Sequence, residues 1–171
     1  MLDKIKQLRD MTSLGINDCK NALKEANGDF DEALKVLKKR GAQMLAKKSQ
    51  RETSQGLVDS YIHFSGNMGA LVEVNCETDF VAKTDVFKKF VKDLAMQVVA
   101  ANAQYLTRED IPESELKDIG NIDDYAKQAC LMEQPFIKES KKIISEYLKE
   151  IVSQTGENIV VKRFVRFAIG E

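Results

Sequence analysis

The sequence predicts an α+β protein: an N-terminal three-helix bundle, then a core in which helices pack on a three-stranded antiparallel sheet. Apolar residues recur at helical spacing through residues 1–45, and from Gly56 the period shortens to the alternation of strands. Between the two, Lys47-Lys48-Ser49-Gln50-Arg51-Glu52-Thr53-Ser54-Gln55 is polar and lacks apolar periodicity, as a linker does. The expected organisation is a bundle over 1–46, a linker over 47–55 and an α+β core over 56–171.

Within the bundle, Asp3 is positioned to cap a first helix whose Ile5, Leu8 and Met11/Thr12 lie on one side. Gly15 interrupts the pattern, and Ile16, Cys19, Leu23 and Ala26 form a second stripe. Asn27-Gly28 is a helix stop. Asp29, Asp31 and Glu32 suit the first turn of a third helix, where the dipole favours acids, and Phe30, Ala33, Leu34 and Leu37 supply its apolar stripe.

Leu57–Phe64 and Ala70–Cys76 are rich in β-branched and aromatic residues, and the turn residues Ser65–Gly69 make them a hairpin. A helix from Thr84 carries Phe87, Phe90, Val91, Leu94 and Val98 on one face. Pro112 and its acidic neighbours mark a loop. Ser140–Thr155 reads as a second amphipathic helix through Ile144, Tyr147, Leu148 and Ile151, ended by Gly156. Ile159–Phe167 is a last strand, with Val161, Val165 and Phe167 on one side and Lys162 and Arg166 on the other.

Composition narrows the function classes. The chain is 43% hydrophobic and 31% charged, the balance of a globular protein, and no apolar run approaches the ~20 residues of a membrane helix. Its net charge of −1 divides unevenly: residues 1–55 hold 12 Lys+Arg and 8 Asp+Glu, the remainder 14 and 19. That asymmetry is too mild for a direct nucleic-acid binder, and Lys38-Lys39-Arg40 reads as the solvated end of a helix. No secretory signal is evident at Met1–Ile5, and cytoplasmic location is the expectation.

Catalytic chemistry is thin. His63 is the single histidine, and Cys19, Cys76 and Cys130 are too widely spaced for a metal knuckle. Cys76 alternates with Val72 and Val74 as a core residue does, and no base stands near it in sequence. No phosphate-binding GxxxxGK[ST] pattern occurs. The expectation is a protein that is not an enzyme and holds no metal or other cofactor.

One segment stands apart. In Asn75-Cys76-Glu77-Thr78-Asp79-Phe80-Val81-Ala82, a polar turn directly after a strand sets a carboxylate beside a large aromatic. Two readings are open from the residues alone. Phe80 folds back onto the core while Asp79 caps the next helix, or the pair is displayed and Phe80 fills a partner's pocket.

Cys76-Glu77-Thr78-Asp79-Phe80-Val81-Ala82-Lys83 resembles the hallmark segment of the elongation factor Ts family. Leu8-Arg9-Asp10-Met11-Thr12 with Gly15-Ile16-Asn17-Asp18-Cys19-Lys20-Asn21-Ala22-Leu23 resembles its N-terminal signature, as does Glu25-Ala26-Asn27-Gly28-Asp29. Leu131–Phe136 and Gly156–Phe167 are similar to the end of its short, single-core members. The matches run in order through the chain.

The resemblance implies a guanine nucleotide exchange factor of translation elongation, acting in protein biosynthesis. Its partner would be the GDP-bound form of elongation factor Tu, into which Thr78, Asp79, Phe80 and Val81 would press near the Mg²⁺ and phosphate site. The N-terminal helices resemble the ubiquitin-associated type of bundle, and Arg9, Ile16 and Asn17 match its contact surface for the GTPase. Two departures bear on this. Many members have Thr-Gly-Ala-Gly-Met-Met where this chain has Thr12-Ser13-Leu14-Gly15-Ile16-Asn17, so Asn17 trims an apolar contact. The stretch from Pro112 to Gln134 is also short for the family. Longer members have a duplicated core, and the resemblance implies that a single-core chain completes its surface as a homodimer, with the last strand as interface. The competing functions are a generic protein-binding module built on the bundle, and a thiol enzyme built on Cys76.

Overall fold

The computed structural model describes residues 2–12, 14–117 and 119–171, with the side chains of Ala42, Met44, Leu45 and Lys47 outside that description. Ser13, within the N-terminal signature, therefore lies outside the described residues. By their contacts the residues group into two units, Met1–Glu52 with Val152–Asn158, and Thr53–Ile151 with Ile159–Glu171.

The first unit holds α1 (Leu2–Thr12), α2 (Ile16–Glu25) and α3 (Phe30–Lys48). Their stripes meet in a core of Ile5, Leu8, Cys19, Ala22, Leu23, Ala33 and Leu37, with Phe30 and Leu34 packed against it. Asn27 and Gly28 both adopt positive φ (49° and 84°), the left-handed pair that ends α2. Three expectations are corrected here. Asp3 lies inside the first turn of α1, where it complements the dipole but does not cap. Met11 and Ile16 are exposed, because each lies in the end turn of its helix, beyond the last buried position of the stripe. The third helix is long, reaching Lys48, so irregular backbone covers only residues 49–54.

The second unit is built on a three-stranded antiparallel sheet in the order β1 (Gln55–Ile62), β2 (Met68–Cys76), β5 (Ile159–Ala168). Even-numbered residues of β2 (Ala70, Val72, Val74, Cys76) point inward and are buried. Packed on that face is α5 (Asp85–Ala100), whose Phe87, Phe90, Val91, Leu94 and Val98 are all buried, as the helical period requires.

The last strand departs from simple alternation. Glu73 pairs with Arg163 while Val74 pairs with Val161, so Lys162 is an extra residue, a β-bulge. The bulge resets the faces. Val161 is buried, but Val165 and Phe167 lie on the outer face, and Phe164, Arg166 and Ala168 take the inner one. The expected common side for Val161, Val165 and Phe167 is thus wrong, because the period of two holds only within an uninterrupted ladder.

Short elements flank α5: α4 (Asp79–Ala82) precedes it, and α6 (Glu113–Leu116) and α7 (Ile122–Ala129) follow, with single 3₁₀ turns at Arg108–Asp110 and Leu131–Glu133. A small hairpin, β3 (Pro135–Phe136) with β4 (Glu139–Ile143), occupies residues whose C-terminal part reads in sequence as helix, and α8 starts only at Ile144 and ends at Thr155. Side chains of α5 hold that hairpin. Ile137 N donates to Gln97 Oε1 at 2.9 Å, Gln97 Nε2 donates to Pro135 O at 3.1 Å, and Asp93 accepts from Lys138 Nζ at 2.6 Å and from the Tyr147 hydroxyl at 3.0 Å. These long-range polar contacts satisfy the buried Asp93 and Gln97, and local propensity gives no hint of them.

Candidate functional site

The turn that follows β2 is fixed from both ends. Cys76 is buried at the end of the strand, and its thiol donates to Thr78 O at 3.1 Å. Thr78 is extended (φ −126°, ψ 155°) and caps α4, its hydroxyl accepting from Val81 N at 3.4 Å. At the other end Thr84 N and the Thr84 hydroxyl both donate to Val81 O, at 3.0 and 2.8 Å. The same hydroxyl accepts from Phe87 N at 3.3 Å and so caps α5. One turn of helix is thereby held between a strand end and a helix start. It packs against β1, β2 and α5, yet none of its four residues is buried.

Phe80 is 79% exposed on that turn. The folded-back arrangement is therefore not the one adopted, and the caps are Thr78 and Thr84 rather than Asp79. Leaving a phenylalanine in water forgoes about 1.5–3 kcal/mol of burial, so folding alone gives no reason for a phenylalanine here. Asp79 lies beside it, half-buried, and its carboxylate accepts from Lys83 Nζ at 2.5 Å. That hydrogen bond and the ammonium charge hold the Asp79 carboxyl below its ordinary range, against a smaller opposing effect of desolvation. Val81 is half-buried under the turn. Thr78, Asp79, Phe80 and Val81 are thus brought together on one short displayed element.

In the first unit, Arg9, Ile16 and Asn17 are all exposed: Arg9 in the last turn of α1, Ile16 and Asn17 in the first turn of α2. Ile16 is 54% exposed and Met11, across the connecting turn in sequence, is 62% exposed. Met11 is one functional candidate that sequence reasoning places in the core. Lys83 is another. The Asp79–Lys83 spacing of four residues signals a helical ion pair, but only once the segment is known to be helix rather than loop.

The other sequence-level candidates are accounted for structurally. Cys76 is a buried core thiol, and Cys19 and Cys130, both buried, are held above the usual thiol value by desolvation. His63 Nδ1 lies 2.7 Å from the Ser65 hydroxyl within the hairpin turn. Among the described residues no group of three or more His, Cys, Asp or Glu side chains is placed to hold a metal ion, and no helix is long and apolar enough to cross a membrane.

The sequence model of the family described as Elongation factor TS matches residues 3–119 and 118–171 of this chain. Proteins named Elongation factor Ts are similar over nearly all of it: that of Thermoanaerobacter sp. (strain X514) is 45% identical, covering 98% of this chain and 93% of the relative. Those of Anaeromyxobacter sp. (strain Fw109-5) and Thermotoga maritima are 46% and 43% identical, covering 98% and 99% of this chain and 87% and 96% of the relatives.

The chain belongs to the elongation factor Ts family.

As a member of this family it is a factor of translation elongation, and the matched residues include both the displayed turn and the three-helix bundle. The alignments run over 190 or 191 positions against 171 residues here, so the elongation factor Ts relatives carry residues that this chain lacks. The family match divides at 118–119, inside the stretch from Pro112 to Gln134.

Proposed function

We propose that this protein is a guanine nucleotide exchange factor that binds elongation factor Tu in its GDP form and promotes release of GDP. The observation that carries the reading is Phe80, left 79% exposed on a one-turn helix whose ends are both capped. A nucleotide held by Mg²⁺ and backbone amides depends on fixed geometry, and a rigidly displayed ring pressed beside that site displaces the segments that make it. Asp79 accompanies the ring toward the Mg²⁺ and phosphate site, with Thr78 and Val81 supporting both. For exchange to follow, the factor must favour the nucleotide-free GTPase over the nucleotide-bound one, since only differential affinity shifts that equilibrium. No bond is made or broken in this chain. Its work is mechanical, in the cytoplasm, without direct contact to nucleic acid or membrane.

Arg9, Ile16 and Asn17 form the second contact, in which the bundle grips the GTPase. The chain acts as a homodimer. The outer face of the sheet, opposite α5, exposes Val58, Ile62, Leu71, Val165 and Phe167, and β5 pairs with β2 alone among the described residues. An apolar sheet face of this kind is ordinarily covered.

Release of fluorescent GDP from elongation factor Tu tests the main reading. Wild-type protein accelerates release, Phe80→Ala abolishes most of the acceleration, and Asp79→Ala impairs it less, because the ring supplies the wedge volume. No acceleration by wild type overturns the reading. Phe80→Ala that lowers the melting temperature in step with the lost exchange assigns the ring to folding instead. Light scattering at working concentration tests the assembly: wild type gives a dimer and Phe167→Glu a monomer, and a wild-type monomer counts against it.

A further inference from the structure

We propose that Lys83 is a positioning residue for nucleotide exchange, acting through Asp79: its ammonium clamps the Asp79 carboxylate across the single turn that displays Phe80. This rests on the exchange reading of the turn. Nζ of Lys83 lies 2.5 Å from Oδ2 of Asp79, a pair spaced four residues apart that spans the whole of α4. The orientation is the favourable one. The acid stands in the first turn and the base at the C-cap, so each also complements the helix dipole.

Two features remove a purely structural explanation. With side chains 49% and 73% exposed, the pair is of the kind that contributes little to folding stability. The turn also buries none of its residues, and the Lys83 ammonium is the side-chain partner of the Asp79 carboxylate. What the pair does supply is a fixed partner for the carboxylate and a charge that compensates it. A lone carboxylate brought toward the phosphates of a bound nucleotide is repelled, whereas one carried as an ion pair approaches as a neutral unit. Lys83 therefore keeps the Asp79 carboxylate aimed and electrically compensated while Phe80 enters.

The test is a double-mutant cycle read in the fluorescent GDP release assay, with wild type, Lys83→Met, Asp79→Asn and the double variant. Lys83→Met lowers the acceleration by about two- to fivefold, the scale of an exposed ion pair, with the melting temperature unchanged. In the Asp79→Asn background the same substitution has no further effect, and Lys83→Arg restores most of the wild-type rate. Carbon-13 titration of the Asp79 carboxyl in the free protein moves up toward the ordinary aspartate value in Lys83→Met. Additive losses, or full acceleration by Lys83→Met, overturn this inference while leaving Phe80 as the wedge. Wild-type protein that fails to accelerate release overturns the exchange reading, and this inference with it.

Discussion

The starts of α2 and α4 each expose an apolar side chain, and they are held in opposite ways. At the start of α2, Ile16 stands over a turn anchored by buried Cys19, Ala22 and Leu23, and its N-cap, Gly15, makes no side-chain cap bond. At the start of α4, Phe80 stands on a turn with no buried residue at all, held by the hydroxyls of Thr78 and Thr84 and by the Asp79–Lys83 pair. One surface is presented over a buried core, the other by polar clamps on a turn that buries none of its own residues. The difference teaches where each is vulnerable. The proposed contact surface of the bundle fails when its core fails, whereas the displayed turn can be loosened without unfolding anything.

The largest expected effect comes from breaking the packed side. Leu37 is fully buried in the bundle core, and Leu37→Ala costs about 2–5 kcal/mol by lost burial and the cavity left behind. Denaturant unfolding followed by helical circular dichroism measures it. A loss below the cavity range shows that the bundle does not depend on this core as proposed.

Breaking the clamped side is milder. Thr78→Ala removes the cap of α4 and costs about 1 kcal/mol locally. Amide exchange at Val81 and Ala82 rises, acceleration of GDP release falls, and the global melting temperature stays near wild type. If protection at those amides is unchanged, packing rather than capping holds the turn, and the contrast with α2 disappears.

The smallest effect sharpens the comparison on the bundle. Asn17 is an exposed polar residue beside Ile16, where the family resemblance expects an apolar side chain. Asn17→Met extends the apolar surface and tightens binding to elongation factor Tu by a few tenths to about 1 kcal/mol, without change in the maximal rate of GDP release. Titration calorimetry against the nucleotide-free GTPase reads it, and weaker binding shows that Asn17 makes a polar contact of its own.

The sequence by itself determined the α+β class, the helix stop at Asn27-Gly28, the buried stripe of α5 and the antiparallel hairpin of β1 and β2. Each of these rests on a period or a backbone preference carried by neighbouring residues. It also singled out Thr78 to Val81, because an aromatic beside an acid in a polar turn is legible wherever the turn falls. Tertiary structure alone decided the rest. The small β3–β4 hairpin exists because Gln97 and Asp93, some forty residues earlier, bind its backbone and Lys138. Val165 and Phe167 face outward because one bulged residue, Lys162, opposes no partner on β2. Phe80 projects into solvent because Thr78 and Thr84 turn the chain into a helix there. Such contacts join residues whose separation carries no period, and so leave no pattern along the chain to read.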